Sequence, residues 1–252
     1  MKNLLKENLE NKKASIGTFV TNPTPDLVEI IALGGFDFIV IDTEHGDLSV
    51  ETTKNLVRAA EYRKITPIIR VTENSTTNIL RSLDVGAHGV QVPQVNTVED
   101  AKKAIDASKY FPIGSRGLAL ARSADYGNID AFDYFKKSNN ETMIVVHCEN
   151  TEGFGNLEDI LKLPEIDVIF LGPFDMSQSL GIPGQIYDKK IEDIANEIIN
   201  LTKKYNKSAG IFVTNAEEAN KRIKQGFKYV TIQMFDTFIL NACKSEISKI
   251  IK

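Results

Sequence analysis

The chain has 252 residues, 42% of them hydrophobic and 25% charged, with a formal net charge of −4. That length carries either one large barrel or two small domains. A nucleic-acid partner is not expected, because no long basic stretch is present and Trp is absent.

No apolar run approaches the length of a membrane span, so no membrane partner is expected either. The start, MKNLLKENLENKK, is amphipathic and lacks the apolar centre of an export signal. Cys148 and Cys243 are far apart and form no metal-type pair, which points to a reducing cytoplasm.

Short apolar segments alternate with helical patterns along the chain. The predicted strands are SIGTFVT (15–21), FDFIVID (36–42), PIIRV (67–71), GVQVP (89–93), MIVVHCE (143–149), DVIFLG (167–172), AGIFV (209–213) and KYVTIQ (228–233). Their apolar residues are nearly continuous, as in strands buried on both faces of a parallel sheet. Thr24-Pro25-Asp26 opens a helix that carries Leu27, Ile30 and Ile31 and stops at Gly34-Gly35. Ser49 caps the next, Ile79, Leu80 and Leu83 mark a third, and Thr97 with Asp100 opens a fourth. Ile191, Ile194, Ile198 and Leu201 form a helical stripe, and Asn215 with Glu218 reads as a capping box. Eight strand–helix units over residues 1–252 close most simply as a single (β/α)8 TIM barrel. A doubly wound open sheet competes, but no G-x-G-x-x-G follows the first strand.

In a barrel, the C-terminal strand ends form the active face. Asp42, Glu44 and His45 follow strand two, Arg70 ends strand three, Glu149 ends strand five and Asp175 lies just past strand six. Buried charge is costly unless paired or metal-bound, so this clustering reads as a site rather than as scattered loop polarity. Glu149 and Asp175 make a hard oxygen pair that suits Mg²⁺ or Mn²⁺. Asp42, three residues before His45, is expected to orient the imidazole as a base. By the period of two, His147 faces inward with Glu149, either as an ordinary hydrogen-bonded interior group or as one that tunes Glu149. Cys148 then faces outward, and His88 sits at the opposite end of the barrel. Glu44 faces solvent or a neighbouring subunit. Phe212, Val213 and Phe235 are expected near the mouth.

IDTEHG (41–46), IIRV (68–71), GVQVPQV (89–95), FPIGSRG (111–117), ENTEGFGN (149–156) and GPFDMSQSLG (172–181) together resemble the HpcH/HpaI aldolase family. These are metal-dependent class II aldolases of the 4-hydroxy-2-oxoheptanedioate and 2-dehydro-3-deoxyglucarate type, and the likeness runs from about residue 15 to 240. It implies a barrel of the phosphoenolpyruvate/pyruvate type acting on a small 2-oxo acid and an aldehyde. Glu149 and Asp175 match the ligands of a divalent ion, Mg²⁺, Mn²⁺ or Co²⁺. Arg70 matches the residue at the keto oxygen of pyruvate, His45 the base and Asp42 its partner. Gly172, Phe174, Asp175 and Phe212 fall in the substrate site. A homo-oligomer, trimer or hexamer, is implied, with the last helix exchanged between subunits. Residues 236–251, with Phe238, Ile239, Ala242 and Ile250, fit that helix. The chain departs from the family at His147, where Gln is usual, and at Asn150, where Thr is usual.

Such a site cleaves a 4-hydroxy-2-oxo acid to pyruvate and an aldehyde, and its hard task is to stabilise the enolate. Arg116, in the long loop, has three readings: ordering the site, binding a distal substrate carboxylate, or an exposed ion pair. A Schiff-base route lacks its lysine, since Lys228 stands at the wrong end of strand eight. Two other functions stay open. One is a lyase like the citrate lyase β subunit, acting on an acyl-CoA thioester, although GLALARSADYG offers little basic lip beyond Arg116. The other is a non-catalytic protein that binds a 2-oxo acid and metal.

Overall fold

Eight strands form close to their predicted limits: β1 (Ser15–Val20), β2 (Phe38–Asp42), β3 (Thr66–Arg70), β4 (Gly89–Val92), β5 (Met143–Cys148), β6 (Val168–Leu171), β7 (Ser208–Val213) and β8 (Tyr229–Met234). Each pairs in parallel with the next, and β8 pairs with β1, so the computed structural model is a closed barrel. It describes residues 2–250; position 251, which the sequence assigned to the last helix, lies outside them.

Helices follow the strands. α1 (Leu4–Glu10) precedes β1, and α2 (Pro25–Leu33), α3 (Val50–Arg63), α4 (Thr76–Asp84) and α5 (Val98–Ser108) come after β1 to β4. The stretch after α5, expected as a long loop, contains a 3₁₀ segment (122–127) and α6 (Ala131–Glu141). α7 (Thr151–Gly155) and α8 (Leu157–Leu161) follow β5, α9 (Pro173–Ser179) and α10 (Lys189–Lys204) follow β6, and α11 (Ala216–Gln225) and α12 (Phe235–Ile247) follow β7 and β8.

Capping chemistry sets several of these starts. Ser49 accepts from the Thr52 N–H, Asn215 from the Glu218 N–H, and Thr97 and Asp100 cap each other reciprocally. α2 starts on Pro25 without a side-chain cap, and it turns Val28 and Ile31 inward while Ile30 is 54% exposed. Of Leu27, Ile30 and Ile31, which the sequence placed on this helix, Ile31 is buried, Leu27 half-buried and Ile30 exposed. Local spacing shows that a helix is amphipathic but does not orient it against the sheet.

Inside the barrel, Phe38, Val40, Ile68, Met143, Val145, Val168, Phe170 and Tyr229 form one apolar cluster with Leu5 and Leu9 of α1. The amphipathic N-terminus thus helps seal the floor, where the Asn3 side chain also donates to the carbonyls of His88 and Glu141. Above this floor the inward positions turn polar. Register places Asp42 beside Arg70, and Arg70 beside Gln91, at one level of the sheet. Parallel strands hold such a level through the even spacing of their hydrogen bonds.

β1 passes the floor at Gly17, which pairs with Phe38. A Cβ at Gly17 would lie 2.4 Å from the Phe38 ring, so glycine is the residue that lets this ring fill the interior. Gly17→Ala is expected to cost about 1–3 kcal/mol through overpacking. Urea unfolding monitored by circular dichroism checks this, and an unchanged midpoint would contradict it.

Candidate active site

The loop after β2 is folded by Asp42. Its Oδ1 accepts the backbone N–H groups of Glu44 (3.0 Å) and His45 (3.3 Å). Gly46 completes the turn, since a Cβ there would stand 2.4 Å from the Asp42 carbonyl oxygen. The same carboxylate takes Arg70 in a fork, Nε to Oδ1 at 2.9 Å and Nη2 to Oδ2 at 2.6 Å. Asp42 is fully buried and Arg70 nearly so. Asp42 therefore partners Arg70 and the loop backbone. The expected role, orienting the His45 imidazole, is not what its side chain does, because the register sets its carboxylate against the guanidinium of the adjacent strand.

Glu44 also belongs to this group: its Oε2 lies 3.1 Å from Arg70 Nη1. Burial raises its carboxyl above the ordinary range, against the pull of Arg70. The expectation that it faces solvent or a neighbouring subunit gives way to an ion pair at the base of the site. A guanidinium has five N–H donors. Two go to Asp42 and one face turns to Glu44, so donors remain for a ligand oxygen.

Glu149 is buried just past the end of β5 and held from two sides. The Gln94 N–H donates to Oε1 at 2.8 Å, and His147 Nδ1 meets Oε2 at 2.6 Å. Behind His147 runs a line of buried polar groups. The Tyr229 hydroxyl donates to Gln91 Oε1 at 2.8 Å, which turns the amide nitrogen toward His147 Nε2, also at 2.8 Å. Burial keeps the phenol well above its usual pKa, so it remains a donor. The amide donates to Nε2, which leaves the imidazole proton on Nδ1, aimed at Glu149. Burial alone would raise the Glu149 pKa. His147, the Gln94 N–H and Arg70 outweigh it and hold the carboxyl below the ordinary range.

Asp175 sits in the first turn of α9, exposed at the mouth. Gly172 lies between the two acids: a Cβ there would be 3.5 Å from Glu149 Oε2 and 3.9 Å from Asp175 Oδ2. The two carboxylates thus flank a single point that glycine leaves open. Among the described residues no three His, Cys, Asp or Glu side chains gather into a closed cage. Two carboxylates with open positions fit an ion such as Mg²⁺, which takes its other ligands from water and substrate.

These residues line one cavity of about 520 Å³. Its walls include His45, Arg70, His147, Glu149, Gly172, Phe174, Asp175 and Phe212, all expected from the sequence except for the depth at which His147 reaches it. Phe19, Phe170, Thr214, Gln233, Met234 and Thr237 line it too, and were not anticipated. The period of two could have found Phe19, which shares a face with Gly17 on β1. Val213 and Phe235, expected at the mouth, pack outward against the helices. Arg116 is also elsewhere: it is buried, paired with Asp84 at 2.7 Å and stacked on Tyr110. It is neither a site residue nor an exposed ion pair. Cys148 is buried outward as expected, and burial pushes its thiol up to about 12. No lysine lines the cavity among the described residues. A larger cleft of about 990 Å³ opens beside His88 at the other end of the barrel, away from these groups.

Charge gathered at the C-terminal mouth of a closed parallel barrel defines a (β/α)8 enzyme, since that face is where the fold keeps its chemistry. The chain belongs to the HpcH/HpaI aldolase/citrate lyase family, whose pattern matches residues 15–241. It is 31% identical to a 2-keto-3-deoxy-L-rhamnonate aldolase from Salmonella typhi, across 92% of this chain and 87% of that one. Among solved structures it resembles the citrate synthase SbnG, with 32% identity, a TM-score of 0.88 and coverage of 97% and 96% of the two chains. It also resembles a family member from Burkholderia cenocepacia J2315, with 25% identity, a TM-score of 0.93 and coverage of 98% and 99%. No helix among the described residues is long and apolar enough to cross a membrane.

Asp42→Ala removes the main partner of a buried guanidinium and is expected to cost about 3–5 kcal/mol, read from the shift in urea midpoint. His147→Leu should weaken Mg²⁺ binding about 10–100-fold in calorimetry, whereas His147→Gln, which can still donate to Glu149, should stay within a few-fold of wild type. Equal losses in both variants would remove His147 from the positioning of Glu149.

Proposed function

We propose that this protein is a divalent-metal-dependent class II aldolase that reversibly cleaves a 4-hydroxy-2-oxo acid, such as a 2-keto-3-deoxy sugar acid, to pyruvate and an aldehyde. Family membership and the aldolase relative at 31% identity support the reaction class. The observation that carries it to this site is the flanking of Gly172 by Glu149 and Asp175 in a cavity shared with Arg70 and His45.

Glu149 and Asp175 would hold the ion, Mg²⁺, Mn²⁺ or Co²⁺; when bound, it supplies Lewis-acid stabilisation to the negative charge developing on the keto oxygen. The chain's own groups do the rest. Arg70, fixed by Asp42 and Glu44, directs its remaining N–H donors at that oxygen without reorganising. His45, exposed on the rim, takes the proton from the C4 hydroxyl as the carbon–carbon bond breaks, and returns it in the direction of synthesis. Gly172 leaves room for the 2-oxo acid between the carboxylates. The apolar residues left exposed on α12, among them Ile239, Leu240 and Ile247, support a homo-oligomer, trimer or hexamer.

A second reading is favoured by the likeness to the citrate synthase SbnG at 32% identity: carbon–carbon bond formation with an acid other than pyruvate. Arg70 is the only Lys or Arg lining the cavity among the described residues, which disfavours a substrate carrying the phosphates of a CoA thioester. Cleavage of 4-hydroxy-2-oxo acids and condensation of oxaloacetate with acetyl-CoA, assayed side by side, separate the two.

His45→Ala is expected to lower kcat for cleavage about 10²–10⁴-fold. Exhaustive chelation should abolish activity, and Mg²⁺, Mn²⁺ or Co²⁺ should restore it. Undiminished cleavage after chelation would refute the metal role.

A further inference from the structure

The polar groups behind Glu149 reach across the barrel interior. Tyr229 stands on β8, Gln91 on β4 and His147 on β5, and the first two meet through one hydrogen bond although 138 positions separate them. The Tyr229 ring is fully buried, with Phe38 at 4.3 Å between centroids and Phe170 edge-on at 5.8 Å. Gly210, its neighbour on β7, makes the space, since a Cβ there would stand 3.1 Å from the ring. Packing thus fixes the place from which the hydroxyl donates to Gln91 Oε1.

A neutral imidazole carries a single N–H, and the partner of one nitrogen decides which of the two holds it. The Gln91 amide is nearly symmetric in shape. Turned over, it would offer Nε2 of His147 an oxygen instead of an N–H. A proton would then be held on Nε2, and Glu149 would lose the neutral donor that now faces its Oε2 at 2.6 Å. Gln91 is fully buried, so bulk water does not settle its orientation. The Tyr229 hydroxyl does, because an overturned amide would take away the acceptor that its hydrogen now has. A neutral N–H aimed at Glu149 fixes the carboxylate and leaves its charge for a cation.

We infer that Tyr229 and Gln91 are positioning residues: acting through His147, they hold the imidazole proton on Nδ1 and so set the affinity of Glu149 and Asp175 for a divalent ion. This rests on the metal-dependent reading above and adds two residues that do not line the cavity.

The test is a double-mutant cycle on Mn²⁺ binding, followed through loss of the free-ion EPR signal. The tautomer is read separately by ¹⁵N NMR of labelled histidine; the chain has three histidines, so substitution assigns them. Tyr229→Phe keeps the ring and should weaken Mn²⁺ binding roughly tenfold, the scale on which groups behind a metal ligand act. The same change in a His147→Gln background should cost less than about twofold, because a glutamine always has an N–H to give and no tautomer to lose. Phe38→Leu, which disturbs the same packing without removing a hydrogen bond, should leave Mn²⁺ affinity unchanged. Wild type should show the proton on Nδ1, and Tyr229→Phe should move part of it to Nε2. Undiminished affinity in Tyr229→Phe, equal losses in both backgrounds, an equal loss in Phe38→Leu, or a wild-type proton on Nε2 overturns the inference while the metal reading stands. Wild-type protein that binds none of Mn²⁺, Mg²⁺ and Co²⁺ sinks the metal reading and this inference with it.

Discussion

One buried ion pair organises the site. Arg70 and Asp42 face each other across β2 and β3 at a level set by the sheet register, and both are withdrawn from water. Breaking such a pair strands a charge in a poor solvent, so the structure around it has little freedom. The Asp42 carboxylate meets two further demands at once: it accepts the N–H groups of Glu44 and His45 and so shapes the turn that lifts His45 to the rim. The same pair presents the remaining guanidinium donors upward into the cavity. Fold, loop and chemistry thus share one carboxylate.

A second polar column fixes the other side of the mouth. Tyr229, Gln91 and His147 hand one hydrogen bond to the next until it ends on Glu149. Each member lies on a different strand or loop, and each is buried, so none can turn without leaving a neighbour unsatisfied. The ring of His147 is held further by stacking on Phe170, 5.0 Å between centroids. With its proton on Nδ1, the imidazole donates to Glu149 as the amide of a glutamine would.

Between the two columns, charged groups and aromatic rings share the cavity: Arg70 lies over Phe19, and His147 stacks on Phe170. A barrel mouth can supply this because eight strands converge there with alternating side chains.

By itself, the sequence determined the alternation of strands and helices, the closure into a (β/α)8 barrel, and which acids, arginine and imidazoles stand at the strand ends. These follow from local periodicity, capping residues and turn glycines, and they survive whatever the strands pack against. Ser49, Thr97 and Asn215 cap as read because capping involves only the next few residues. Only the tertiary structure decided who pairs with whom. Asp42 belongs to Arg70 rather than to the His45 ring, Glu44 joins them, Arg116 is spent on Asp84, and Phe19 faces the cavity. Those choices depend on inter-strand register and on contacts tens of residues apart, which no short window of sequence contains.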